Sequence, residues 1–401
     1  MAKCRIAVVH PRLGWGGSEI KTLWALELLK HDYDVHLITS GHVDLPCLNR
    51  YYGTDLHPAE ISVVQVPLPF FLRRTARFNA LRGHFVEKFC KGVAGNFDLM
   101  ICMYSPMDFG VRGIQFVADF SFDEELRRAL HPLPDGPRGW WYRDSLLRSV
   151  YLRLCKAISH SSPDGWKKNL TLVTSNWSAK LMRERYGIEA RTLYPPALDD
   201  FPAIPYQKRE NGFVCIGRLA PEKRIDTVIE ILSIVRRRGH DIHLHILGGI
   251  EDGQYARALK ELCRKHRGWV FLEGQVGGQR KRDLIAKHRF GIHACRNEAI
   301  GNAVIELAKG GCIVFTPNGG GQVEIVDHPD LVYSDEDDAV LKIERVLESA
   351  PMQEGLRRHL SRAGERFSVE NFQRGIRDAV AEFLLEKQDG GGVAIHAEAH
   401  A

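Results

Sequence analysis

Two cations and two carboxylates, placed just beyond apolar runs, carry the chemistry in this 401-residue chain. In IGRLAPEKRID, Ile216–Asp226, an apolar run exits through Gly217, Arg218 follows, and Lys223 comes where a helix begins. A guanidinium offers planar bidentate contact and an ammonium a mobile point charge, so the pair suits a diphosphate. It also fits an ordinary charged strand-to-helix loop. In CRNEAIGNAVIELAKGG, Cys295–Gly311, a strand ends at Cys295 and a loop holds Glu298, Ala299, Ile300 and Gly301. Asn302 is the expected N-cap of a short helix that Gly310 and Gly311 end. Glu306 lies one turn inside and leans back toward the loop, as helical side chains do. Two carboxylates beside an anion-binding helix start would repel a phosphate, whereas they suit sugar hydroxyls. A favourable helix-dipole charge explains Glu306 alone but leaves Glu298 unexplained.

Two glycine runs flank this chemistry. GWGGSE, Gly14–Glu19, joins a strand to a helix, and free backbone N–H groups there favour an anion. It is not a dinucleotide fingerprint, because Glu19 stands at the third glycine position. The next strand ends in Thr39 and Ser40, without an acid for a ribose hydroxyl. A nucleotide-dependent dehydrogenase is thereby disfavoured. The second run, Gly319–Gly321 in TPNGGGQVEIV, permits close backbone approach to a ligand or is simply a flexible loop.

Short apolar runs alternating with helical patterns must position these residues. Strands are expected at Arg5–His10, Val35–Thr39, Ser62–Val66, Leu99–Met103, Ile114–Ala118 and Leu170–Thr174. A helix is expected from Ser18, its N-cap, to about Lys30. The rhythm breaks at LYPPALDDFPAIP, where Pro195, Pro196, Pro202 and Pro205 block helix and central strand alike. It resumes through GFVCIG, HLHILGG, VFLEG, FGIHAC and CIVFTP. The pattern predicts an α/β protein with two parallel, doubly wound sheets. Its parts are a domain over 1–195, a proline-rich linker over 196–205, a second domain over 206–368, a closing helix over 369–387 and a disordered tail over 388–401.

Composition narrows the class. Hydrophobic residues make up 44% and charged residues 26%, an ordinary globular balance that disfavours disordered and fibrous chains. No run reaches the ~18 apolar residues that span a bilayer. MAKCRIAVVHPRL reads as a strand with polar flanks rather than a signal peptide, and the nine cysteines form no C-x-x-C pair. These features point to reduced core cysteines in a cytoplasmic protein. The net charge of +5 is unevenly spread. One basic stretch runs Arg73, Arg74, Arg77, Arg82, Lys88, Lys91, and another Arg138, Arg143, Arg148, Arg153, Lys156 beside Trp140, Trp141 and Tyr142. They read either as solvated helix faces or as a surface for anionic lipid at the inner membrane face or an anionic acceptor. No nucleic-acid-binding module is present.

Taken together, GRLAPEK, the Glu-x7-Glu pair of EAIGNAVIE, LAKGG before a strand, GGGQVEIV and the final ERFSVENF resemble the retaining glycosyltransferases of family 4. GGSE and LVTSNWSAKLMRERYGIEARTLYPP in the first half fit as well, the latter resembling the branch of mannosyltransferases acting on lipid-linked glycans. The resemblance implies the GT-B fold of two facing Rossmann-like domains with closing C-terminal helices. It implies a GDP- or UDP-sugar donor, a glycan or lipid-linked acceptor, hexose transfer with retention and no cofactor. No D-x-D-like metal site stands in the cleft segments, and two cations with a helix dipole can neutralise most of a diphosphate, so no metal is expected. By it, Arg218 and Lys223 hold the donor diphosphate and Glu306 the ribose. Glu298 with Ala299, Ile300 and Gly301 holds the sugar and distal phosphate beside Asn302. Val276 opens the loop near the base, and Gly16 and Gly17 face the diphosphate across the cleft. Where family members commonly carry a histidine after an N-domain strand, this chain has Ala118, and Asp119 follows. Asp119 is therefore either the acceptor-orienting carboxylate or a helix-start charge. The alternatives in other classes are a nucleotide-sugar-binding protein without transferase activity and a nucleotide-sugar epimerase.

Overall fold

The computed structural model describes residues 3–73, 78–133, 139, 141–198, 200–249 and 253–395. Arg74, Arg77, Arg138 and Trp140 of the basic stretches lie outside them. The chain builds two parallel sheets. The first contains β1 Arg5–Val9, β2 Asp34–Thr39, β3 Ile61–Gln65, β4 Leu99–Cys102, β5 Ile114–Val117, β6 Leu170–Val173 and β7 Arg191–Thr192, in the order β3-β2-β1-β4-β5-β6-β7. The second contains β8 Glu210–Ile216, β9 His243–Leu247, β10 Val270–Gly274, β11 His288–Ile292, β12 Ile313–Pro317 and β13 Val332–Tyr333, in the order β10-β9-β8-β11-β12-β13. Strand order reverses between β1 and β4 and again between β8 and β11. In such sheets ligands bind beyond the carboxyl ends at those crevices. Central strands covered on both faces must be apolar along their whole length. IAVV of β1, LMIC of β4 and FVCI of β8 satisfy this and are buried or nearly so, while IQFV of β5 departs from it at Gln115, a buried amide that donates to the Thr171 hydroxyl at 3.0 Å and accepts from the Met107 N–H at 3.2 Å.

The main helices of the first half are α1 Gly17–Leu29, α2 Leu45–Tyr52, α3 Asn79–Val93, α4 Glu124–Leu130, α5 Leu146–Ser159 and α6 Asn176–Tyr186. Those of the second are α7 Ile225–Arg237, α8 Gln254–Lys265, α9 Gly278–Lys287, α10 Asn302–Lys309, α11 Gln322–Val326, α12 Glu336–Glu348, α13 Ala350–Gly364 and α14 Val369–Ile395. The final helix, α14, returns to the first sheet. Phe372, Ile376, Ala379, Val380 and Phe383 join the core formed by Ile6, Val8, Leu23 and Phe116. Arg112 and Arg191 anchor it through Glu386 and Glu382. It continues to Ile395, past Gly390–Gly392, so the stretch 388–395 expected as disordered is helical in backbone geometry. Residues 396–401 lie outside the described residues. The linker docks beside this crossing, where the Ala197 N–H donates to the Phe367 carbonyl at 2.9 Å.

Two helix starts differ from expectation. α1 begins at Gly17 with Gly16, not Ser18, as its cap. The Ser18 hydroxyl instead meets His10 Nε2 at 3.2 Å and donates to Glu19 at 2.9 Å. α10 begins at Asn302 with Gly301 as its cap, at φ +88° where only glycine sits without strain. All nine cysteines are free thiols and seven are buried.

Candidate active site

Beyond β8, Pro221–Lys223 forms a single turn that turns Lys223 inward. Its ammonium forms an ion pair with Glu298, whose Oε1 also lies 3.4 Å from His293 Nε2. Burial pushes the Glu298 carboxyl up, but the Lys223 ammonium and the His293 imidazole outweigh it and hold the group well below the usual carboxylate range. Burial acts against the charge on Lys223 as well, and Glu298 more than offsets it, so Lys223 sits above the ordinary lysine value. Arg218 is more exposed and pairs with Glu222 at 2.7 Å. One turn into α10, Glu306 accepts from Lys281 of α9 at 2.9 and 3.0 Å. Three cations thus stand at the carboxyl edge of the second sheet, each beside a carboxylate.

Lys281 was not anticipated. It lies in the run QRKRD, where Arg280 turns to Glu273 and Arg282 to Asp200, and nothing in the local pattern singles it out. Its ammonium stands 5.8 Å from the ring centre of Tyr51 in the first domain. Val276 sits in the loop before α9, whose next residue, Gly277, packs against the Tyr51 ring; a Cβ there would come within 2.9 Å of it.

The glycine loop of the first domain meets this set directly. A Cβ on Gly17 would fall 1.8 Å from Asn302 Nδ2, so only glycine lets the loop touch the start of α10. Glu19 folds back beneath it and accepts from the Gly14 N–H at 3.0 Å. One donor expected for an anion is therefore already used. The Gly319–Gly321 run serves packing between protein segments. A Cβ on Gly320 would meet Glu298 N and O at 2.8 and 2.7 Å, and one on Gly321 would meet the Ala299 carbonyl at 2.3 Å and Ser175 Oγ at 2.7 Å. Gln322, fully buried, donates to the Cys295 and Arg296 carbonyls at 3.1 and 2.9 Å and fixes the Glu298 loop from behind.

The domains also join across the cleft. Ser175 and Ser178 hydroxyls reach the Ala299 carbonyl at 2.5 and 3.2 Å. Glu324 of α11 accepts from the N–H groups of Asn176 and Trp177 at 3.0 and 2.8 Å and from the Tyr194 hydroxyl at 2.9 Å. A carboxylate thereby sits on the start of α6, where the helix dipole favours it.

Asp119 is exposed beyond β5 and accepts from the Ser121 N–H at 2.8 Å. It is not a helix-start charge, because Asp123 caps α4. Beneath it lies Lys21, 2% exposed, with its ammonium 4.6 Å from the Phe116 ring centre. Burial lowers Lys21 to about 8, against the pull of Asp119 and Glu19. The charge of Asp119, together with burial, raises Tyr104 to about 12. His131 ends α4, next to Leu130, whose carbonyl accepts from Asn297 Nδ2 at 2.7 Å. Burial lowers its imidazole, while Glu298, Glu222 and Asp119 draw its pKa up. His131 thus stands within electrostatic reach of both sides of the cleft. Lys21 and His131 were not anticipated, since only the fold brings them to the site.

Ligand atoms of His293, Cys295 and Glu298 lie within 4.8 Å of one another. Lys223 already occupies Glu298, and burial pushes the Cys295 thiol up to about 12, so the set is poorly disposed to hold a cation.

A sequence profile describing glycosyl transferases group 1 matches residues 199–367. The GPI3 subunit of a phosphatidylinositol N-acetylglucosaminyltransferase from Saccharomyces cerevisiae is 28% identical over 125 residues, 31% of this chain and 27% of that protein. A GDP-Man:Man(3)GlcNAc(2)-PP-Dol alpha-1,2-mannosyltransferase from Candida glabrata is 27% identical over 164 residues, 36% of this chain and 32% of that protein. The chain thus aligns with about a third or less of the length of these relatives. In fold, Alr3699/HepE of Anabaena, solved with UDP and glucose, superposes with a TM-score of 0.68 over 94% of this chain and all of that one, at 13% identity. The two-sheet GT-B architecture expected from sequence is the one observed.

Proposed function

We propose that this chain, whose residues 199–367 match the glycosyl transferases of group 1, moves a hexose from a nucleotide-sugar donor to a glycan or lipid-linked acceptor with retention. One juxtaposition carries the reading: Gly17 of the first domain abuts Asn302 at the start of α10, between the Lys223–Glu298 and Lys281–Glu306 pairs. A cleft with cations, hydroxyl-binding carboxylates and a helix start side by side suits a sugar diphosphate better than a simple anion.

In this reading Arg218, Lys223 and the backbone of Ala299, Ile300 and Gly301 take the diphosphate. Glu306, steadied by Lys281, takes the ribose hydroxyls, and the loop at Val276 borders the base. Glu298 is held ionised by Lys223 and accepts from hydroxyls of the transferred sugar. The barrier is departure of the diphosphate as positive charge grows on the sugar ring. Preorganised donors at the leaving oxygen commonly contribute ~3 kcal/mol each. The acceptor oxygen attacks the face the diphosphate leaves, and the departing phosphate takes the acceptor proton, so no protein base is required. Asp119 orients the acceptor from the first domain, and His131 supplies the imidazole absent at Ala118. Two cations, Arg218 and Lys223, and a helix dipole neutralise the leaving group, so no metal ion is required in the cleft.

The acceptor side suits a lipid-linked substrate. α5 exposes Leu146, Leu147, Val150 and Leu154 beside Arg143, Arg153 and Lys156, a basic amphipathic face of the kind that lies on anionic membranes. Among the described residues no helix is long and apolar enough to cross a membrane. Sedimentation with anionic vesicles is expected for the native chain and lost in Leu146→Glu/Leu147→Glu; equal sedimentation of the two refutes the contact.

A thermal-shift panel of GDP- and UDP-hexoses tests donor binding. A true donor at about 100 times its Kd adds ~2.7 kcal/mol of stability. No shift with any nucleotide sugar would sink the reading. Stabilisation without acceptor-dependent release of nucleotide would favour a binding protein instead.

A further inference from the structure

The amino edge of the second sheet, opposite the cleft, gathers three histidines and a glutamate. β8 lies between β9 and β11, so their first residues meet: His288 pairs with Glu210, and His243 with Gly212. His245, two residues on, projects to the same face as His243. The three rings converge, with centroids 5.1 Å apart for His243–His288, 4.6 Å for His245–His288 and 5.3 Å for His243–His245. His243 Nε2 is 3.0 Å from His288 Nε2, and Glu210 Oε2 is 3.3 and 3.5 Å from those two nitrogens. One ligand atom from each of the four residues lies within 4.8 Å of the others. Gly212 makes the convergence possible, since a Cβ there would stand 2.3 Å from His243 Nε2.

Hydrogen bonding fixes what these rings present. His288 Nδ1 is 2.5 Å from the Leu284 carbonyl, which can only accept, so Nδ1 carries the proton and Nε2 keeps its lone pair. His245 Nδ1 is 2.8 Å from Glu273 Oε1, which fixes the same tautomer. Lys287 takes the outer oxygen of Glu210 at 3.0 Å, leaving Oε2 toward the imidazoles. With no ion bound, His243 Nε2 donates to the His288 Nε2 lone pair at 3.0 Å, and release of that one proton leaves the three ring nitrogens and Glu210 Oε2 as lone-pair donors around one point. A backbone carbonyl or carboxylate on the far nitrogen is how metal-ligating histidines are held. A surface cavity of ≈ 380 Å³, lined by Glu210, His243, His245 and Phe271, opens beside them.

We propose that Glu210, His243, His245 and His288 bind a divalent transition-metal ion, zinc by the character of the ligands, and clasp β8, β9 and β11 together at the amino edge of the second sheet. Three imidazoles and one carboxylate match the coordination number and ligand preference of zinc. The site lies at the other end of the strands from Lys223 and Glu298. Its ion therefore acts on domain stability and leaves the cleft chemistry alone.

The full chain, dialysed against a chelator, is titrated with zinc and with cobalt while bound metal and thermal midpoint are followed. Expected are one zinc per chain, a rise in the midpoint, and a cobalt spectrum of a tetrahedral nitrogen–oxygen site without thiolate charge transfer. His243→Asn/His245→Asn abolishes the binding, and Glu210→Gln, at an exposed position, weakens it at least about 10-fold with the fold kept. Absence of zinc binding to the native chain overturns the proposal. So does undiminished binding by both variants, or a thiolate band, which would place the ion on cysteine. None of these readouts depends on transferase activity.

Discussion

Replacing Lys223 separates its structural from its chemical role. Lys223 and Glu298 are each only about a fifth exposed, so Lys223→Ala strands a largely buried carboxylate with only the neutral Cys295 thiol and His293 near it. Breaking one partner of a buried pair costs about 3–5 kcal/mol. The residual exposure places this pair at the lower end, near 3 kcal/mol. Arg218 is 56% exposed on its partner Glu222, and exposed pairs are worth about 0–1 kcal/mol. Arg218→Ala should therefore keep its urea midpoint, while Lys223→Ala loses stability. The sign with pH follows from the two shifts. Glu298 is depressed, so its contribution is present above the ordinary carboxylate range and lost as pH falls through its folded value. Lys223 is raised, so its contribution is present below the ordinary lysine value and lost as pH rises through its folded value. The pair therefore stabilises throughout the neutral range. In Lys223→Ala, burial acts on Glu298 with less opposition, so the deficit shrinks as pH falls and the carboxyl protonates. Urea unfolding of both variants from pH 4 to pH 9, alongside nucleotide release, measures all of this. Equal stability of the two at neutral pH would refute the buried-pair argument. Normal turnover by Arg218→Ala/Lys223→Ala would refute the diphosphate assignment.

Other expectations follow from the same geometry. Glu306→Ala should weaken binding of the free nucleotide, and Lys281→Met should do so less, whereas Glu298→Ala should act mainly on the intact donor; calorimetry with both ligands decides, and equal losses of free-nucleotide affinity by the two glutamate variants contradict the division. Asp119→Asn should lower transfer while sparing donor affinity, and any loss of melting temperature comes from the countercharge taken from buried Lys21 rather than from a helix cap, since Asp123 caps α4; an unchanged transfer rate removes Asp119 from the chemistry. Lys21 is held at about 8 by burial, below its unfolded value, so the native state carries a destabilisation of about 3 kcal/mol below that pH, relieved as pH rises toward the unfolded value. Lys21→Met should be more stable than the native chain at neutral pH and lack that alkaline rise, as chemical denaturation at several pH values will report.

The sheets were legible because parallel strands covered on both faces must be apolar throughout, and runs such as IAVV and FVCI stand out for that reason. Arg218, Lys223, Glu298 and Glu306 were legible because they stand just past strand ends or just inside a helix. Helix starts were less so: Ser18 and Asn302 have the chemistry of caps, yet Gly16 and Gly301 hold those places. At Gly16 a Cβ would stand 2.6 Å from the folded-back Glu19 carboxylate, and Gly17 beside it is pressed against Asn302, which is a tertiary fact. Lys281, His131 and Lys21 were illegible for a related cause. Lys281 and Lys21 lie in ordinary helical sequence and His131 just past the end of a helix, and only the approach of Tyr51, Phe116 or the Glu298 loop marks them. The triple glycine reads from sequence either as room for a ligand or as a flexible loop, and the space beside Gly320 and Gly321 is taken by Glu298, Ala299 and Ser175.

The most direct test of the central claim is acceptor-dependent release of nucleoside diphosphate from GDP- and UDP-hexoses, with the anomeric configuration of the product read by NMR. The account predicts release from one donor class, tied one-to-one to a glycoside with the donor's own configuration and reduced at least about 100-fold in Arg218→Ala. Product of inverted configuration, or no acceptor-dependent release from any donor while the chain remains folded, would contradict it.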